Sequence, residues 1–266
     1  VNELVTSVAL GFVQGAAEFL PVSSSGHLAL LIPLTRRDES QVLPLITLLH
    51  FATLLSAVVY FRREIGAMLA SLVRPGGREG REGRRMLLHV LAGTAVTGAV
   101  GLSLKGVFER LFTAPSYSIA GLALTGVLLL LADRRVARWY SPRPLTLPVA
   151  LLIGLAQGAA IAPGLSRSGT TIAVGLLCGL SRPEAFTFSF LVSLPAIAGA
   201  TLLEARGLAG QTPHGILVIG SGMAVAFVTG LAALAWLSDV VRNRHLTPFA
   251  YYVWFVALIA LVASSV

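Results

Sequence analysis

Apolar residues in this chain run in long blocks separated by short clusters of arginine, proline, serine and glycine. Six blocks are uncharged over the length a helix needs to cross hydrocarbon, roughly 17–25 residues. They cover residues 44–61, 86–104, 114–132, 185–203, 215–238 and 247–263. Four shorter apolar pieces, 4–17, 26–34, 147–162 and 170–180, cannot cross alone. They fall into two pairs, each interrupted by a Pro/Ser/Gly segment. Non-helical backbone at membrane depth is tolerated only inside protein or beside a wet cavity. The pattern predicts an all-α polytopic membrane protein with six transmembrane helices and two re-entrant helix hairpins, built from four half-helices.

The two interruptions are copies of one another. Residues 14–26 (QGAAEFLPVSSSG) and 157–169 (QGAAIAPGLSRSG) lie 143 positions apart, and from Gly11 to Gly26 eight of sixteen positions match without a gap. The shared positions are Gly11/Gly154, Gln14/Gln157, Gly15/Gly158, Ala16/Ala159, Ala17/Ala160, Ser23/Ser166, Ser25/Ser168 and Gly26/Gly169. The ionisable groups are divided between them. Glu18 and His27 occur only in the first copy, where the second has Ile161 and Thr170; Arg167 occurs only in the second. A duplicated segment that has split its charges points to one composite site made by two halves. The expected organisation is a single membrane domain, 1–266, with repeat halves of about 1–133 and 147–266.

Composition agrees. Hydrophobic residues make up 55% of the chain and charged residues 12%, about half the charge of a soluble domain. Fourteen arginines lie in 62–85, 134–143, at Arg182, and at Arg242 and Arg244; five basic residues (Arg36, Arg37, Lys105, Arg110 and Arg206) lie in the opposite set of loops. The positive-inside bias places the fourteen-arginine face in the cytoplasm and both termini outside. The first motif then enters from the outer face and the second from the inner face. The net charge of +8 is read as contact with anionic lipid headgroups and not nucleic acid, because no binding module accompanies it. The amino-terminal stretch lacks a basic n-region and runs into the first motif, so it is read as mature protein. The lone cysteine, Cys178, cannot form an internal disulfide.

The motif residues define an anion site. Proline breaks each helix, and the Ser/Gly clusters can cap the half-helices that follow, whose amino-terminal amides and dipoles favour anions. Arg167 offers planar, bidentate donors for phosphate oxygens, and an arginine this deep in apolar sequence is functional by default. The alternative is a buried latch paired only to Glu18. Glu18 could hold a divalent cation or act as a general base. His27 could be a nucleophile or an acid for the leaving phosphate, or simply cap a helix. Ser24 is the candidate nucleophile among the hydroxyls; His27 or an activated water are the others. Gln14, Ser23, Ser25, Gly26, Ser166, Ser168, Gly169 and Thr171 are expected to bind substrate. His50 joins them because it sits in an uncharged span and the same 143-residue offset maps it onto Ser193, as in a polar cavity wall.

The string from Gln14 to Leu28 resembles the first motif of the undecaprenyl-diphosphatases, the bacitracin-resistance family, and Pro163 to Thr171 is similar to that family's second motif. The resemblance covers nearly the whole chain. It implies an enzyme of the bacterial inner membrane with an outward-facing site, converting undecaprenyl diphosphate to the monophosphate carrier for cell-wall assembly, with Mg²⁺ or Ca²⁺ as cofactor. Glu18, His27 and Arg167 match the family's glutamate, histidine and phosphate-binding arginine, and Ser24, Ser166, Ser168 and Thr171 its hydroxyl positions. Gln14 stands where many members have glutamate, which leaves Glu18 as the motif's single carboxylate and favours a cation carried by the diphosphate. The rival reading is a secondary transporter or lipid flippase, since carriers also use inverted repeats with broken helices. Small residues from Gly220 to Gly230 would permit close packing within the chain or across a homodimer.

Overall fold

A computed structural model describes residues 3–32, 39–74, 76–138, 141–207, 215–243 and 245–265. These residues form helices without strands: α1 (Glu3–Phe19), α2 (Ser24–Leu31), α3 (Glu39–Tyr60), α4 (Arg62–Val73), α5 (Gly77–Ser103), α6 (Lys105–Leu111), α7 (Pro115–Arg138), α8 (Leu147–Ala159), α9 (Arg167–Leu177), α10 (Arg182–Gly207), α11 (Ile216–Asn243) and α12 (Thr247–Ser265). Among them, Val42–Tyr60, Gly77–Ser103, Pro115–Ala137, Arg182–Glu204, Ile216–Asn243 and Thr247–Ser264 are long and apolar enough to cross a bilayer. They overlap the six predicted blocks, the second beginning well before its block. Large apolar side chains such as Phe12, Leu102, Phe255 and Leu258 are exposed on the outside, as a hydrocarbon solvent requires. The protein is a multi-pass membrane protein.

The clearest departure from the sequence reading is at 77–85, which precedes the predicted block 86–104 yet opens α5. Its arginines lie on the exposed side of α5, while Gly80 and Gly83 are buried. Gly83 has no Cβ and so lies against the Ala67 carbonyl and the Ser71 side chain of α4. Helical hydrogen bonding continues because glycine makes the close approach possible.

The two repeated segments are pairs of short helices, α1–α2 and α8–α9, compatible with hairpins that enter and return. Each second helix starts earlier than its apolar stretch suggested. The cause is serine capping: Ser23 Oγ accepts the Gly26 amide at 3.3 Å, and Ser166 Oγ accepts the Gly169 amide at 3.2 Å. The Ser/Gly clusters are thereby drawn into the first helical turn. Residues 33–34, expected at the end of the first return helix, lie outside the described residues.

Each entering helix packs against a long helix from the other part of the chain. A Cβ on Gly11 of α1 would collide with the Gly222 carbonyl of α11, and one on Gly154 of α8 would collide with the Gly93 carbonyl of α5. Gly11 and Gly154 are equivalent positions of the repeat, so the same glycine contact is used twice. In the middle of the molecule Phe19, Phe61, Phe186 and Phe190 are buried and form edge-to-face and stacked contacts with centroids 4.9–5.8 Å apart. That cluster fixes the end of α1, and with it the neighbouring Glu18, against the α3–α4 junction and α10. At the arginine-rich end, buried Asp133 of α7 accepts from Arg182 at 3.3 Å and from the Thr247 amide at 2.7 Å. It ties α7, α10 and the start of α12 together.

Candidate active site

Glu18 lies one residue from the end of α1, and only 6% of its side chain is exposed. Burial of a carboxylate is costly unless its lone pairs are matched by donors. Here they are. Oε1 accepts from Arg167 Nη2 at 2.6 Å. Oε2 accepts from Gln14 Nε2 at 3.0 Å and from Ser24 Oγ at 2.9 Å. His50 Nε2 stands 3.8 Å from the same Oε2, while its Nδ1 contacts the Ile46 carbonyl at 3.0 Å. Gln14 reaches Glu18 from one helical turn earlier on α1, and Ser24 comes back over it from the first turn of α2.

The second motif supplies the guanidinium. Arg167 opens α9 and is held by a stiff local frame. Ser166 N donates to Thr125 Oγ1 of α7 at 2.9 Å, and Ser166 Oγ lies 3.3 Å from Ser168 Oγ. Ser168 Oγ donates to the Leu20 carbonyl at 3.1 Å, and Thr171 Oγ1 donates back to the Arg167 carbonyl at 2.8 Å. A Cβ on Gly169 would sit 3.2 Å from Pro21, so the two motifs touch there with no room to spare. Two buried atoms at the centre have no hydrogen-bond partner among the described residues: Arg167 Nη1 and Gln14 Oε1. One is a donor and the other an acceptor, so both are available to a ligand.

His27 does not join this centre. Its Nδ1 contacts the Ser23 carbonyl at 2.9 Å and its Nε2 the Tyr252 hydroxyl at 2.7 Å. It borders a separate apolar groove of about 640 Å³, lined also by Phe12, Ala16, Leu20, Trp236 and Phe249. Ser23 and Ser25 lie 3.2 Å apart at their Oγ atoms, beneath the same turn. Sequence reasoning missed Tyr252, which sits among four other aromatic residues in 249–255 with no feature to single it out. It also missed Thr125, one hydroxyl in an apolar span. Ser193, the positional counterpart of His50, donates to the Phe190 carbonyl within its own helix.

The donor set does not fit a divalent ion held by the protein. Glu18 is already engaged on both oxygens, and among the described residues no three His, Cys, Asp or Glu side chains gather. What the arrangement can do is set a hydroxyl beside a base and an arginine. That is the geometry of an activated nucleophile with an electrostatic partner for anionic oxygens.

Fold and site together define an integral membrane protein with a partly buried serine–carboxylate–guanidinium centre made from two related segments. The chain belongs to the family described as bacitracin resistance protein BacA, whose pattern it matches over residues 7–259. It is 38% identical over 260 residues to the undecaprenyl-diphosphatase of Carboxydothermus hydrogenoformans, covering 96% of this chain and 95% of that one. It is 40% identical to the protein of the same name from Rhodopirellula baltica, covering 95% of both chains. It is also 40% identical to that of Rubrobacter xylanophilus, covering 98% of both chains.

Proposed function

We propose that this protein is a membrane phosphatase that hydrolyses undecaprenyl diphosphate to undecaprenyl phosphate and inorganic phosphate. It thereby recycles the lipid carrier of peptidoglycan synthesis and confers bacitracin resistance. The observation that carries the reading is the carboxylate of Glu18 bound at once by the Ser24 hydroxyl and the Arg167 guanidinium.

Ser24 is the nucleophile in this scheme, because its hydrogen already points at the base that would remove it. As the Ser24 Oγ–phosphorus bond forms, the hydroxyl proton passes to Glu18 Oε2. The bond from that phosphorus to the bridging oxygen breaks, the electron pair leaves with the lipid monophosphate, and Glu18 passes its proton to that leaving oxygen. Water then attacks the phosphoserine, one of its protons returns the Ser24 hydroxyl, and inorganic phosphate departs. Protonating Glu18 would strip Arg167 of its counter-charge, and the transferring phosphoryl oxygens replace it. Arg167 Nη1, buried and unpartnered, is the donor that can bind phosphate before the Glu18 contact is given up. Gln14, Ser23, Ser25, Gly26, His50, Ser166, Ser168, Gly169 and Thr171 line or brace the headgroup position. A divalent cation, Mg²⁺ or Ca²⁺, would arrive on the diphosphate, which offers more free oxygen ligands than Glu18 does.

The arginine distribution supports a bacterial inner-membrane location with the fourteen-arginine face inward and the site open to the outer side. The paired glycine contacts of α1 and α8 support two related halves, about 1–133 and 147–266, within one domain. Gly222, Ala226 and Gly230 of α11 are buried within the chain, so a homodimer would have to use another face.

Phosphate release from an isoprenyl diphosphate by the purified protein tests the activity. Release in wild type that disappears in Glu18→Ala and Arg167→Ala supports it. No release at any cation concentration, together with movement of labelled lipid or solute across vesicles, would assign the fold to transport instead.

A further inference from the structure

Ser23 is the only non-glycine residue with positive φ among the described residues, at φ 69° and ψ 98°. A side chain in that region is disfavoured and persists only where its surroundings hold it. The reason for the bend is geometric: the chain must reverse within a few residues so that Ser24 can return over Glu18, six positions earlier. The Ser23 carbonyl receives two donors from one residue, the His27 amide at 3.2 Å and His27 Nδ1 at 2.9 Å. A carbonyl can only accept, so Nδ1 carries the proton. In the neutral ring Nε2 is then an acceptor and takes the Tyr252 hydroxyl at 2.7 Å. The two rings lie 6° from parallel with centroids 5.6 Å apart. Both imidazole nitrogens are thus occupied by the protein itself.

The second copy of the motif is an internal comparison. Its Ser166 has an ordinary φ of −67°, and its amide is held by Thr125 of α7. Thr170 stands where the first copy has His27, and its hydroxyl has no hydrogen-bond partner among the described residues. Strain and the histidine bridge therefore occur together, in the copy that presents a serine to a carboxylate.

Building on the phosphatase reading above, we propose that Tyr252 and His27 are positioning residues. They clamp the Ser23 turn to α12 and so hold Ser24 against Glu18, and His27 neither attacks phosphorus nor transfers a proton. The clamp reaches across 225 residues of sequence, so the placement of α12 sets the aim of the nucleophile.

Steady-state phosphate release and a nitrogen-15 spectrum of histidine-labelled full-length protein test this. In Tyr252→Phe, which keeps the ring and removes one donor, kcat should fall about tenfold, the worth of one hydrogen bond. KM should stay within about twofold, since a group that only aims the nucleophile adds little to substrate binding. The pH profile should keep its shape. His27→Asn keeps an amide donor where Nδ1 was but leaves Tyr252 without its acceptor, so it should fall about tenfold, as Tyr252→Phe does, whereas His27→Gln, which cannot reach Ser23 in the same way, should lose about a hundredfold. Equal loss in both His27 variants with a missing limb in the pH profile, alongside a fully active Tyr252→Phe, would make His27 a proton-transfer group and overturn the clamp. In the spectrum, the unprotonated Nε2 resonance of His27 should shift in Tyr252→Phe. That readout does not need turnover, so an inactive wild type would count against the phosphatase reading while the clamp is still judged. An unmoved resonance would reject the clamp.

Discussion

Arg167 Nη2 lies 2.6 Å from Glu18 Oε1, across 149 residues of sequence. These are charged groups that differ between the two copies of the repeated segment, and each sits where the other copy has none. Both are largely buried, so each depends on the other: either one alone would be an unmatched charge in a low-dielectric interior. The pair therefore serves stability at rest, and in the proposed mechanism it leaves Arg167 beside the transferring phosphoryl group.

Removing one partner should cost more than removing both. Glu18→Leu and Arg167→Leu are each expected to destabilise the protein by about 3 kcal/mol, and the double variant by less than either alone. Thermal unfolding of the purified variants in one detergent reads this out. Additive losses would mean that the two charges are not coupled.

Ser24→Ala should reduce turnover roughly 10³-fold or more, since the nucleophile and its base act as a unit. Acid quenching during wild-type turnover should trap acid-stable phosphoserine at Ser24. Acid-labile phosphate on the protein, or direct transfer of solvent oxygen without a trapped intermediate, would reassign the nucleophile to a histidine or to water.

The glycine contacts give a paired prediction. Gly11→Ala and Gly154→Ala each push a methyl group into a facing backbone carbonyl, at an expected cost of about 1–3 kcal/mol. Gly98→Ala on α5 meets nothing within 4 Å and should be neutral or stabilise by up to about 1 kcal/mol. A scan of melting temperatures over the three variants decides it; equal effects would contradict the crossings described here.

Cys178 offers a test of orientation. It follows α9 and is partly buried, and that burial pushes its thiol above the ordinary cysteine range. A raised value means less thiolate at neutral pH, so maleimide labelling should be slow there and speed up only as the pH is raised further than a free cysteine needs. An impermeant maleimide should label inside-out vesicles and spare right-side-out ones. The reverse pattern would invert the assigned topology.

Much of the architecture was legible before any coordinates. The six spans were visible because an uncharged run of that length has few alternatives to a crossing helix. The short helices were visible because Pro21 and Pro163 interrupt apolar runs too short to span. The helical form of 77–85 was not legible. Its arginines mask a face made only of Gly80 and Gly83, and glycine gives no apolar signal even when it packs closely. Among the site residues, Glu18 and Arg167 stood out as lone charges, and the structure joins them. His27 stood out for the same reason, yet its partners are Ser23 and Tyr252.

The sequence by itself determined that the chain is helical, membrane-spanning and internally duplicated. Those properties follow from residue-by-residue transfer out of water and from backbone groups that lipid cannot satisfy. Only the tertiary structure decided which polar groups meet. Partners separated by 149 or 225 residues are chosen by how helices cross, and the crossings depend on close contacts at Gly11, Gly93, Gly154 and Gly222 that no local pattern encodes.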